Sequence, residues 1–288
     1  MIAHVAEKGE DRGRVVLQIG PSGAASQVAI DAALRVAQAY QSEIESLFIE
    51  DVRIIDAAEH AFAREISNSG RRTSRLGAAV LERELASVAS ALQRKIVEAG
   101  RRAEVTIRCR TVRGEPLQAL ATACAENGPW NVVALAQPLD VLTILALPEL
   151  FQAVQGTTGV VVAGSRARRT SGPVVALIEE FERVGPMLRA AMRLAAVTGG
   201  DARLLITGGN GERIDWIEGQ IRLALGEDPT TRITVAEVER GEPAAIAETL
   251  RRMGAGFVIA QFGGSAVPAD GGLMTLAAGI EGPLFLVR

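Results

Sequence analysis

Short apolar runs alternate along this chain with longer stretches in which apolar residues recur at helical spacing. Arg14-Val15-Val16-Leu17-Gln18-Ile19 reads as a strand. After it, Ala25, Val28, Ala29, Ala32, Ala33, Val36, Ala37 and Tyr40 fall on one face of a helix. Leu81, Leu85, Val88, Ala89, Leu92 and Ile96 define a second such face, and Ile214, Ile217, Ile221 and Leu225 a third. Amphipathic helices set between short apolar strands imply βαβ crossovers, hence a parallel sheet covered on both sides. One strand breaks the pattern. Val105, Ile107 and Cys109 alternate with Thr106, Arg108 and Arg110, which predicts a wet face or a sheet edge.

The pattern occurs twice. Arg113-Gly114-Glu115-Pro116 returns as Arg240-Gly241-Glu242-Pro243, each after a β-rich run and each opening a short helix. Leu117, Leu120, Ala121 and Cys124 of the first helix match Ile246, Ala247, Leu250 and Met253 of the second. A strand follows in both halves, Asn131 to Gln137 and Phe257 to Gln261. Residues 14–19 likewise match 173–178, and 159–163 match 283–287. The polar, arginine-rich stretch from Gly164 to Gly172 reads as a linker. The expected domains are therefore 1–165 and 172–288, each a doubly wound unit of five strands. Between Val52 and Arg75 the first copy carries an Arg-rich break between two helical patterns, Asn68 to Arg72. Arg71, Arg72 and Arg75 there are either solvated or part of a lid that holds an anion.

Composition narrows the function. A net charge of −3 and 3% aromatic residues give no basic surface or stacking platform for nucleic acid. Two cysteines and two histidines, at no metal-ligand spacing, argue against a metal centre or a disulfide framework. The polar N-terminus is unlike a signal peptide, and the most apolar stretch, Val132 to Leu147, is interrupted by Gln137, Pro138 and Asp140. A cytoplasmic protein without membrane insertion is expected. Trp130 and Trp216 are isolated, and a packing role is the expectation for both.

An opening strand, a Ser-containing turn, an Ala-rich helix, and a strand ending in Gly-Glu-Pro before a short helix resemble the universal stress proteins. The likeness runs from about Arg14 to Arg288 as two tandem copies. It implies two doubly wound parallel five-stranded α/β sheets of order 3-2-1-4-5, of the adenine-nucleotide α-hydrolase-like type, packed as a pseudo-dimer. Pairing through the last strand of each copy, within one chain or between chains, is implied as well. ATP-binding members carry an Asp at the end of the first strand and a G-x2-G-x9-G-[ST] loop after the fourth. Here the Asp position holds Gly20 in one copy and Glu179 in the other. The first copy continues Gln137-Pro138-Leu139-Asp140 with no glycine, and Asp140 sets a negative charge where phosphates would lie. In the second copy Gln261-Phe262-Gly263-Gly264-Ser265 can begin a phosphate loop, but Val267 and Ala277 stand where the later glycines belong.

The candidate ligand-binding residues are Gly20, Ser22, Ser26, Glu179, Gln261, Gly263, Gly264 and Ser265. Each has a plainer reading: Ser22 and Ser26 as helix caps, and the glycines as a surface loop. Glu115 and Glu242 suit helix starts, where carboxylates complement the macrodipole. No catalytic set is present, no cofactor is required, and ATP or another adenine nucleotide remains an option for the second copy. Three functions follow: a non-catalytic stress-type regulator acting on a small ligand or an unidentified protein partner, a nucleotide-using enzyme, and an accessory domain of a membrane transporter or sensor. The apolar segment Leu139 to Phe151 is either a docking surface for the last of these or a buried helix like Leu273 to Ile280.

Overall fold

The computed structural model describes residues 13–20, 25–60, 63–66, 73–75, 77–126, 130–138, 141–154, 157–207, 211–225, 231–235, 242–264, 266–268 and 272–288. The first half runs β1 (Arg14–Ile19), α1 (Gln27–Ala39), β2 (Ile44–Asp51), α2 (Val52–Glu59), β3 (Arg64–Ile66), β4 (Thr73–Arg75), α3 (Ala78–Arg102), β5 (Ile107–Gly114), α4 (Pro116–Ala125), β6 (Asn131–Pro138), α5 (Val141–Ala153) and β7 (Thr157–Ala163). The second half runs β8 (Val174–Ile178), a 3-10 turn (Phe181–Arg183), α6 (Val184–Thr198), β9 (Ala202–Ile206), α7 (Gly211–Leu225) and β10 (Thr231–Val235). It ends with α8 (Pro243–Arg252), β11 (Phe257–Gln261), α9 (Gly272–Gly279) and β12 (Leu284–Val287).

Ten strands form one sheet in the order β10-β9-β8-β11-β12-β7-β6-β1-β2-β5. Either side of the centre is a doubly wound 3-2-1-4-5 unit with parallel neighbours. At the centre β12 and β7 run antiparallel, with Phe285 opposite Val161 and Val287 opposite Gly159. The seam is tight: a Cβ on Gly159 would come within 2.3 Å of the Leu286 carbonyl oxygen. Val160, Val161, Val162, Leu284, Phe285 and Leu286 are all buried, so pairing there removes apolar surface from water as well as satisfying two sheet edges.

Both faces of the sheet are covered, and each core is continuous across the halves. One joins residues of α1, α3, α6 and α7, and the other residues of α4, α5, α8 and α9. α1 meets its counterpart α6 across the pseudo-twofold. There the Arg35 guanidinium donates to the Val197 carbonyl at 2.9 Å, and Arg193 lies 5.4 Å from the Tyr40 ring centroid. On the other side Phe151 stacks on Phe262 with ring centroids 4.4 Å apart, and the Arg288 guanidinium donates to the Phe151 carbonyl.

The repeated Gly-Glu-Pro opens α4 and α8. Glu115 is the N-cap and accepts from the Gln118 N–H at 3.2 Å. Proline follows at the first helical position, where its missing N–H costs nothing. Glu242 caps α8 without a side-chain hydrogen bond. β5 is an edge strand, and its arginines are paired: Arg108 with Glu43 at 2.9 Å, Arg110 with Glu126 at 2.5 Å and with the buried Glu45 at 3.5 Å, Arg113 with Glu82 at 2.9 Å.

Four sequence expectations need correction or limits. The Val52–Arg75 segment forms a helix and a two-stranded antiparallel hairpin, β3 with β4, rather than a break between helices. Arg71 and Arg72 lie outside the described residues. Both tryptophans pack against an aromatic ring, Trp130 beside Tyr40 at 5.6 Å and Trp216 edge-on to Phe181 at 5.9 Å, though Trp216 does so at the surface, 54% exposed. Part of the linker is tethered: Arg169 pairs with Glu281 at 2.8 Å, and the Arg168 N–H donates to the Glu281 carbonyl at 2.8 Å. Leu147, Leu150 and Phe151 are buried, as are Leu273, Leu276 and Ile280, which favours the buried-helix reading of those segments.

Candidate functional site

In each half the chain leaves the first and fourth strands in opposite directions, which opens a crevice beyond their C-terminal ends. Because the central strands are antiparallel, the two crevices lie at opposite edges of the one sheet.

In the first crevice Gly20 follows β1, and the Gln137 side chain, from the end of β6, leans over it. A Cβ on Gly20 would come within 2.5 Å of Gln137 Nε2. The start of α1 is pinned to β6 by the Ser26 N–H, which donates to the Ala136 carbonyl at 2.8 Å. Ser26 occupies the N-cap position, but its hydroxyl makes no capping hydrogen bond. The side chain does not fill the capping role expected of it, and the backbone instead anchors the helix start to β6. Ser22 and Asp140 lie outside the described residues.

Beside Gln137 a cavity of ≈ 360 Å³ opens between α4 and α5. Leu117, Leu120, Leu135, Leu147 and Leu150 form its apolar wall, Gln18 and Gln137 contribute amides, and Arg53, Glu115 and Glu149 line it as well. Asp51 holds the Arg53 guanidinium in a bidentate grip, Nε to Oδ1 at 2.9 Å and Nη2 to Oδ2 at 2.7 Å, and caps α2 through the Arg53 N–H. The hydrogen bonds from Arg53 hold the Asp51 carboxyl below its ordinary range, against the opposing effect of its own desolvation.

The second crevice is filled differently. Glu179 follows β8, and its carboxylate turns into the loop after β11, accepting from the Ala266 N–H at 2.9 Å. A Cβ on Gly264 would come within 2.7 Å of the same oxygen, so a larger residue there would have to push the carboxylate aside. Gly263, at φ +81°, makes the turn, and its N–H donates to the Val267 carbonyl at 3.0 Å. Gln261 pairs with Val287 in the sheet, and the Phe262 N–H donates to the Val287 carbonyl. Glu179, Gly263, Gly264 and the end of β11 are thus brought together; Ser265 lies outside the described residues. A loop built from glycines suits an anion, and the anion present is the protein's own carboxylate.

The large side chain comes from the fourth strand in one half and from the end of the first strand in the other. Gln137 and Arg53 were not among the residues singled out in the sequence. The only signal for Gln137 was its position next to the unusual Gly20 in a parallel register, Gln18 beside Leu135. Among the described residues no group of His, Cys, Asp and Glu could hold a metal ion, and no helix is long and apolar enough to cross a membrane.

Neither a protein-family model nor a curated protein matches the sequence. Solved structures do match the fold. A universal stress protein from Archaeoglobus fulgidus DSM 4304 superposes with a TM-score of 0.60 at 13% identity, over 96% of this chain and 97% of that one. A Pseudomonas aeruginosa UCBPP-PA14 protein bearing the same family name gives 0.56 at 13% identity, over 96% and 93%. The cytoplasmic domain of a prokaryotic cation chloride cotransporter gives 0.51 at 11% identity, over 96% and 95%. The chain thus has the fold of universal stress proteins along nearly its whole length.

Proposed function

We propose that this chain is a non-catalytic regulator of the universal stress type, acting in the cytoplasm, which does not grip ATP as nucleotide-binding members of that family do. The observation that carries this reading is Glu179. A nucleotide phosphate entering the second crevice would face a carboxylate already bonded to Ala266 and packed under Gly264. Two negative groups competing for one N–H in a half-buried site repel each other, and the tethered one is present at high effective concentration. In the first crevice the only guanidinium among the described lining residues is held by Asp51, with Glu115 4.0 Å from it and Glu149 also lining the cavity. The test is a thermal-shift series with ATP, ADP, AMP and cyclic dinucleotides, with and without Mg²⁺. A ligand at ~100 times its dissociation constant would add about 2.7 kcal/mol of stability. No shift is expected, and a saturable shift with ATP would overturn the proposal.

A second reading, an accessory module for a membrane transporter, is supported by the likeness to the cotransporter domain. It differs in what it predicts: co-purification with a membrane protein that carries no such module of its own, and no response to small ligands.

A further inference from the structure

The cavity in the first half is not a general gap of this fold. In the second half the equivalent helices close on each other: a Cβ on Gly279 of α9 would come within 2.5 Å of the Ala247 Cβ on α8, and one on Gly272 within 3.0 Å of Pro243. Between α4 and α5 that space instead stays open at ≈ 360 Å³, within the ~300–1,000 Å³ typical of small-molecule sites. Its inner wall is leucine. Gln18, half-buried on β1, lines it as well.

Charge decides what could enter. Among the described lining residues Arg53 carries the one guanidinium, which Asp51 engages with two hydrogen bonds and Glu115 approaches to 4.0 Å, while Glu149 adds a further carboxylate to the lining. An anion would have to displace Asp51 and approach two further carboxylates. A cationic head would find more carboxylate than guanidinium among the described lining residues, with Glu149 on the rim, and an apolar tail would find leucine. We propose that the first half binds small organic amines with an apolar body, seated between α4 and α5 with the tail on Leu117, Leu120 and Leu147 and the ammonium group near Glu115 and Glu149. This goes beyond the proposed regulatory role by naming a ligand class. It does not depend on how the second crevice behaves.

The test is calorimetric titration of the full chain with butylamine, hexylamine, hexanol and hexanoate, with ATP as a parallel arm. Hexylamine is expected to bind saturably and about fifteenfold more tightly than butylamine, since each buried methylene tightens binding about fourfold. Hexanoate is expected not to bind. Leu117→Trp, at a half-buried position on the cavity wall, should abolish the amine isotherm by filling the space. Glu149→Gln, on the exposed rim, should leave the fold intact and weaken hexylamine about two- to fivefold while leaving hexanol unchanged. Hexanoate binding as tightly as hexylamine, or Leu117→Trp retaining full amine affinity, would overturn the assignment. ATP binding without amine binding would refute both this site and the proposed function, whereas amine binding without ATP binding supports both.

Discussion

Replacing Glu179 with alanine isolates the contact on which the second crevice turns. Its carboxylate accepts from the N–H of Ala266, a fully buried residue, at 2.9 Å. Removing it leaves that N–H without this acceptor, which costs about 1–3 kcal/mol. Because Glu179 itself is only half-buried, solvent screens its charge, so the larger figure for charged hydrogen bonds does not apply in full. In a chain of this size about 1 kcal/mol moves the melting temperature by roughly 2 °C, so Glu179→Ala should melt about 2–6 °C lower. Glu179→Gln keeps an acceptor oxygen in the same place and should lose about 1 kcal/mol or less. The variant also vacates an anion cradle. Inorganic phosphate should therefore raise the melting temperature of Glu179→Ala and not that of the wild type, read by scanning fluorimetry in matched ionic strength. Equal melting temperatures for Glu179→Ala and wild type, or an equal phosphate response in both, would refute the argument that the loop is built around this carboxylate.

Three further outcomes follow from the packing and the ionisable groups. Val161→Lys places an unpaired charge at a buried seam position opposite Phe285, at a cost of about 3–5 kcal/mol, and should speed proteolysis within 164–172; a variant as stable and resistant as wild type would contradict the seam's role. Asp51 is held below its ordinary pKa by Arg53, so its contribution is complete above about pH 4 and lost as the pH falls through the lower folded value. The stability gap between wild type and Asp51→Asn should close on acidification, and a gap that persists unchanged to about pH 2 would refute it. Burial, aided by Glu45, pushes the Cys124 thiol up to about 12, while Cys109 is exposed. Native protein should therefore label with maleimide once, and a second time only on unfolding.

Much of this architecture was legible because it rests on periodicity. Ala29, Ala32, Ala33, Val36 and Ala37 of α1 and Leu85, Ala89 and Ile96 of α3 are buried positions that the helical spacing marked, whereas Ile30 and Leu34, buried as well, lie off the marked stripe. The alternation from Val105 to Arg108 marked an edge because an edge strand keeps one row of backbone groups and one face wet, although Cys109, expected on the apolar face, is exposed. The short hairpin escaped notice because strands of three residues are too brief for alternation to show. The crevices were only half legible. Gly20 and Glu179 stood out by replacing an expected Asp, but the partner that fills each place lies far away in sequence: Gln137 over Gly20, Ala266 beneath Glu179. No local spacing encodes a contact between residues 87 positions apart. Only the parallel register of first and fourth strands brings them together.

The antiparallel seam between β7 and β12 has a consequence for how such a protein can change over generations. A symmetric homodimer must carry every substitution in both of its sites at once, so a change useful in one and harmful in the other is lost. Here the two halves are joined in one chain and held edge to edge, so each crevice is inherited separately. One has turned its fourth-strand glutamine inward and kept a cavity; the other has turned its first-strand glutamate inward and closed its helices. Covalent fusion has released the pair from the symmetry that its own sheet still displays.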